Sequence, residues 1–185
     1  ETLRSSPLLE AYREKDIEVL LMDDEIDEVV VPSIGKFDDV ELKAVNRSGA
    51  ADDLKSDDDK KREKGVAPLV KKIEKVLGER VKKVVASTRL NESPSCIVAD
   101  ENDPTMQMQH ILKSMGQSEM PDIKPILEIN PDHEIVKKLE GTKDESIIED
   151  VSWLLFEQAM LVEGAELSKP VDFVKRLNRV MENAL

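Results

Sequence analysis

The chain has 185 residues, of which 39% are hydrophobic and 36% charged, and its net charge is −13. That length allows one large domain or two small ones with a real core. The acidic balance argues against a nucleic-acid binder, which needs basic patches to meet phosphate, and no apolar run approaches the roughly 20 residues of a membrane span.

Ser5, Ser6 and Pro7 open a first helix, with a capping hydroxyl ahead of a proline in the first turn. Leu8, Leu9 and Tyr12 fall on one face of it, and it ends near Lys15. Ile17 to Leu21, IEVLL, is the short continuous apolar run of a buried strand. Asp23 or Asp24 caps a following helix through about Ile34, with Ile26, Val29, Val30 and Ile34 inward and Pro32 shortening or kinking it. Val40 to Val45, VELKAV, alternates as a half-buried strand. Helix, strand, helix, strand predicts a small α/β unit with its two strands parallel.

From Asn46 to about Lys64 the composition turns polar and charged, which predicts a linker that becomes helical towards its end. Three regions are expected: a first unit over 1–48, a charged linker over 49–64 and a second domain over 65–185. The second domain opens with Pro68 in the first turn of a helix that carries Leu69, Val70, Ile73, Val76 and Leu77 and stops at Gly78. Val81 to Thr88 and Ser95 to Asp100 read as strands joined by RLNESP, a stretch of turn composition. A helix from about Asp103 to Met115 stops at Gly116, Pro125 to Ile129 is a further strand, and Asn130 and Pro131 start a helix whose apolar positions Ile135, Val136 and Leu139 precede Gly141.

The last two helices, Asp144 to Gly164 and Pro170 to Leu185, carry more apolar surface than a hairpin can bury by itself. At about 100° per residue, Ile147, Ile148, Val151, Leu154, Leu155, Ala159, Leu161 and Val162 share one arc, and Trp153, Phe156 and Met160 form a second stripe. A surface helix normally has one stripe and a polar back. The final helix places Phe173, Val174, Leu177, Val180 and Met181 on one side. A second copy of the chain would complete a four-helix bundle, so the helix pair reads as a homodimerisation device that buries roughly 2,000 Å² or more. The expected interface is Val151, Trp153, Leu154, Leu155, Phe156, Met160, Phe173, Leu177, Val180 and Met181. The fold class is α+β: a small α/β unit followed by a mixed α/β dimerisation domain with this C-terminal pair.

Constellations for catalysis are scarce. His110 and His133 have no Cys, His or Glu at metal-ligand spacing and read as surface histidines of helices. Cys96, the single cysteine, sits in an apolar strand pattern as a structural thiol; one cysteine excludes an internal disulfide and fits a reducing cytoplasm. The Asp pairs and triplets lack the spacing of a calcium loop, and the seven glycines form no phosphate-cradling loop. No signal peptide opens the chain, and its first residue, Glu1 rather than Met, reads as the start of a piece of a longer protein. Met108, Ile111, Leu112 and Met115 make a stripe at i, i+3, i+4 and i+7, with Met106 projecting elsewhere. Such a stripe either packs on its own domain or stays exposed as an adaptable binding strip, because methionine is flexible and polarisable.

SSPLLEAYREKDIEVLLMDDEIDE at 5–28, GERVKKVVASTRLNESPSCIV at 78–98 and LEINPDHEIVKKLE at 127–140, followed by the helix pair, resemble the C-terminal region of the heat-shock protein 90 chaperone family, bacterial HtpG type. The resemblance implies that residues up to about 48 end the middle domain of such a chaperone and that the rest is its dimerisation domain. It implies a client-binding role for the helix at Thr105–Met115 together with Glu28 and Val29; Val29 stands where some bacterial relatives carry a bulky aromatic. ATP and magnesium would belong to upstream domains, leaving this region with no catalytic, cofactor or metal residues of its own. The chain ends in VMENAL, without the acidic MEEVD-like tail that binds tetratricopeptide-repeat co-chaperones. The expected function is a dimerisation and client-contact part of a cytoplasmic, ATP-dependent chaperone that assists protein folding. A dimerisation adaptor without chaperone activity is the rival, and an enzyme is a distant third.

Overall fold

Three short strands form the centre of the fold: β3 (Lys83–Ala86), β4 (Ser95–Val98) and β5 (Ile126–Ile129), in the order β3-β5-β4. β5 runs parallel to β3 and antiparallel to β4. The two strands joined by RLNESP are therefore not a hairpin, because the last strand of the sheet inserts between them. The computed structural model of the chain describes residues 3–116 and 123–184.

Side-chain alternation along the strands gives the sheet two covered faces. On one, Val84, Ile97, Leu127 and Ile129 meet Val66, Leu69, Ile73 and Leu77 of α3 (Asp57–Leu77). Val136 and Leu139 of α5 (Glu134–Gly141) join them, with Ile148, Leu155, Phe156 and Ala159 of α6 (Glu145–Val162). On the other, Ile126, Cys96 and Val98 pack with Leu90 and with Leu8, which lies in a 3-10 turn capped by Ser6 just ahead of α1 (Glu10–Glu14). The mixed helix and sheet content is the expected α+β class.

The N-terminal turn docks through polar contacts as well. Glu10 accepts from the backbone amides of Asn91, Glu92 and Ser93, at 2.6, 2.8 and 3.2 Å. Burial alone would raise its carboxyl, but these bonds and that from the Ser93 hydroxyl outweigh burial and hold it below the ordinary carboxylate range. Tyr12 Oη donates to the carbonyl of Ala50 at 3.1 Å.

α3 starts eleven residues before Pro68. Ser56 and Asp59 close a capping box, and Asp57–Lys60 and Asp58–Lys61 pairs follow on the first turns. The expected start at Pro68 is corrected: that proline lies inside the helix at an exposed position, where it lacks only the N–H that would reach Lys64. The linker's second half is thus helix. Its first half is tied down by an isolated bridge between Arg47 and Ala99 and by the buried Ala51.

Residues 17–43 differ from expectation. IEVLL forms no strand, and Ile17, Leu20 and Leu21 are exposed, because no strand among the described residues lies alongside to pair with them. α2 (Asp27–Ile34) forms, yet Ile26, Val29, Val30 and Ile34 face outward rather than inward, since nothing described covers them. VELKAV contributes only β2 (Val40–Glu41), which pairs antiparallel with β1 (Lys36–Phe37) and not parallel to an earlier strand. Asp38 and Asp39 make that two-residue turn with φ of +45° and +64°, the left-handed pair a tight hairpin requires.

Candidate interaction surfaces

α6 begins at Asp144, whose carboxylate accepts from the amides of Ser146 and Ile147 at the helix N-terminus. α7 (Pro170–Ala184) returns along it after Gly164, at φ +77°, allows the turn. Leu185, the last residue of the expected helix, lies outside the described residues.

Two ion pairs hold α7 to α6. Arg179 Nε donates to Asp150 at 2.7 Å, and Arg176 Nη1 donates to both Glu157 oxygens at 3.2 and 3.3 Å. Burial pushes the Glu157 carboxyl up, and Arg176 counteracts that rise only in part. The Arg176 guanidinium also lies over the Trp153 ring, which meets Phe156 edge-on at a centroid distance of 6.4 Å.

The expected interface residues divide into three groups. Leu155 and Phe156 are sealed in the subunit's own core, at 1% and 2% exposure, and have no surface to give a partner. They are a correction: helical angle separated the stripes, but the subunit fills its core from both. Val151, Trp153 and Met160 are half-buried and pack on that core, and Leu154, Phe173 and Val180 are half-buried. Leu177 and Met181 are exposed, and Leu161, Val162, Val171 and Val174, absent from the expected set, are exposed with them. No residue of α7 is buried. Val171, Val174, Leu177 and Met181 share the side of α7 turned away from the Arg176 and Arg179 pairs, so one subunit leaves an apolar arc bare along the hairpin.

The methionine stripe lies on α4 (Met106–Ser114), none of whose residues is buried. Met106 packs on the core, Met108, Ile111 and Leu112 are half-buried, and Met115 is 74% exposed. Thr105 caps the helix: its Oγ1 accepts from the amide of Met108 at 3.0 Å and donates to the Glu28 carboxylate at 2.7 Å. Glu28 and Val29, far away in sequence, are thereby brought to the base of α4. Arg47 Nη1 donates to the carbonyls of Asp100, Glu101 and Asp103, fixing the loop that leads into Thr105. Lys82 pairs with Asp100 and Asp103 in that loop, and Lys82 with the surrounding donors holds Asp100 at about 2.

The remaining chemistry is structural. Cys96 is buried, and burial pushes its thiol up, leaving a poor nucleophile. His133 caps α5 by accepting from the Ile135 amide, and His110 is exposed on α4. Arg89 and Glu128, 1% and 6% exposed, form a buried bidentate pair at 3.0 and 3.1 Å. Arg89 also donates to the carbonyls of Val45 and Arg47. A lone acid in the apolar strand ILEI was the signal for this pair, though not for the identity of its partner. Among the described residues, no group of three or more His, Cys, Asp or Glu is placed to hold a metal ion, and no helix is long and apolar enough to cross a membrane.

A family model described as Hsp90 protein matches residues 1–185. The chain is 52% identical to the chaperone protein HtpG of Treponema denticola, over 99% of this chain and 29% of that protein. It is 45% identical to the one from Treponema pallidum, over 97% of this chain and 29% of that protein. The one from Aliarcobacter butzleri is 48% identical over 100% of this chain and again 29% of its own length. The chain therefore spans under a third of these relatives.

Proposed function

Because the chain belongs to the heat-shock protein 90 family, we propose that it is the dimerisation and client-contact part of an ATP-dependent, cytoplasmic molecular chaperone. The observation that carries this reading is the bare apolar arc along α6 and α7, with Leu177 and Met181 exposed on a hairpin that is otherwise firmly closed by Arg176 and Arg179. Two such hairpins packed face to face make a four-helix bundle and remove both arcs from water. The second surface is α4, an apolar helix with no buried residue, which offers Met108, Ile111, Leu112 and Met115 to exposed apolar segments of an unfolded protein. Pairing two chains places two such helices on one particle, so a client gains from two contacts at once. On this reading, ATP and magnesium are bound by parts of a longer protein upstream of this region.

The test is capture of reduced, carboxymethylated lactalbumin, a permanently unfolded probe. Replacing Met108, Ile111 and Leu112 by serine should weaken capture at least tenfold while leaving the melting temperature nearly unchanged. A chain that dimerises but captures nothing is the adaptor, and a large melting loss would make the stripe core.

A further inference from the structure

Glu28 stands in the expected client patch, yet its carboxylate is already engaged. The amide of Met108 donates to Thr105 Oγ1, and the same hydroxyl donates its own proton to Glu28 Oε2. This relay joins the first turn of α4 to α2. Among the described residues it is also the one hydrogen bond that ties residues 18–42 to the rest of the fold: the others in that stretch stay within it, as between Asp24 and Asp27 or Ser33 and Val29. Among the described residues, the side-chain hydrogen bonds and ion pairs that reach α4 from other elements gather at its N-terminal end. Arg47 and Lys82 fix the loop before Thr105, whereas Met115 at the far end is open to solvent.

We propose that Glu28 is a positioning residue, a latch that couples the placement of residues 18–42 to the angle at which α4 presents its apolar stripe. A rigid-body movement of α2 then redirects α4 through one charged hydrogen bond, and a ligand on either element biases the other. The coupling stands on the contacts above; only its consequence for client capture rests on the function just proposed.

Thr105→Asp separates the latch from the cap. Aspartate caps a helix as well as threonine does and suits its positive end, but it has no proton to give and sets a second carboxylate against Glu28. Glu28→Lys leaves the cap intact and removes the acceptor. The double variant restores an attraction as a reversed ion pair. Spin labels at Ile34→Cys and Lys113→Cys, with labelled chain diluted into unlabelled, report the distance between α2 and α4. The wild type should give a narrow distribution, each single variant a broad one, and the double variant a narrow one again, with amide protection across α4 retained in Thr105→Asp. Capture of carboxymethylated lactalbumin should fall by up to roughly tenfold in each single variant and recover in the double. Equal widths in all four proteins overturn the latch. Broadening in a chain that captures no client upholds the latch and removes the client reading instead. Glu28→Ala, which leaves the Thr105 cap untouched, is the substitute if Thr105→Asp does not fold.

Discussion

Arg176 lies over Trp153, 4.8 Å from the ring centroid, while its Nη1 holds Glu157. Trp153 also packs on the subunit core, so truncating it loosens the hairpin as well as any interface. The exposed arc gives a cleaner probe. Leu177→Asp combined with Met181→Asp places charge on surface that one subunit leaves open. The far-ultraviolet circular dichroism should keep its shape while sedimentation equilibrium at micromolar concentration shifts from the mass of two chains to that of one. A wild type that sediments as a monomer removes the pairing.

The Arg89–Glu128 pair predicts a large asymmetry. Arg89→Met leaves the Glu128 carboxylate buried without its partner and strips two donors from the Val45 and Arg47 carbonyls. The loss should be about 3–5 kcal/mol, read as a melting temperature lower by roughly 10 °C. Adding Glu128→Leu should return much of it, because an apolar pair no longer asks for solvation there.

Glu10 makes the docking of the N-terminal turn sensitive to acid. Its folded carboxyl titrates below the ordinary value of 4.5, so its contribution is fully present above that value and is lost as pH falls through the depressed one. Glu10→Gln should cost about 1.5 kcal/mol at pH 7. The gap in melting temperature between the two proteins should narrow as pH falls below 4.5 and through the depressed value; a constant gap would deny the carboxylate its role.

Glu163 predicts the opposite slope. Burial alone raises its carboxyl, and it stands at the C-terminal end of α6, where the helix dipole disfavours an anion. A raised folded value means that stability is full below 4.5 and falls as pH rises above it. Glu163→Gln should therefore raise the melting temperature at pH 8 by a few degrees, about 1 kcal/mol, and the gain should vanish at pH 4.

Much of the fold from Asp57 onward was legible in the sequence because its elements bury one face each. Val66, Leu69, Ile73 and Leu77 mark the inner side of α3 at helical spacing, and Ile126 to Ile129 is a strand that is buried throughout. Periodicity reports that a face is apolar and not what covers it. IEVLL and the inward side expected for α2 failed on that distinction, as did Phe156 at the interface. The pairing of Arg89 with Glu128, and of Thr105 with Glu28, joins positions 39 and 77 residues apart. Only the folded chain brings such groups together.

The place of β5 between β3 and β4 has a consequence during synthesis. The two outer strands are made first and have no edge to pair with until Ile126–Ile129 leaves the ribosome. Until then Val84, Cys96, Ile97 and Val98 lie on unpaired edges in a growing polypeptide, where intermolecular pairing competes. A translational pause after Ser95–Val98 has emerged and before Ile126–Ile129 has emerged should therefore be hazardous, and release of the next few residues closes the sheet in a single step.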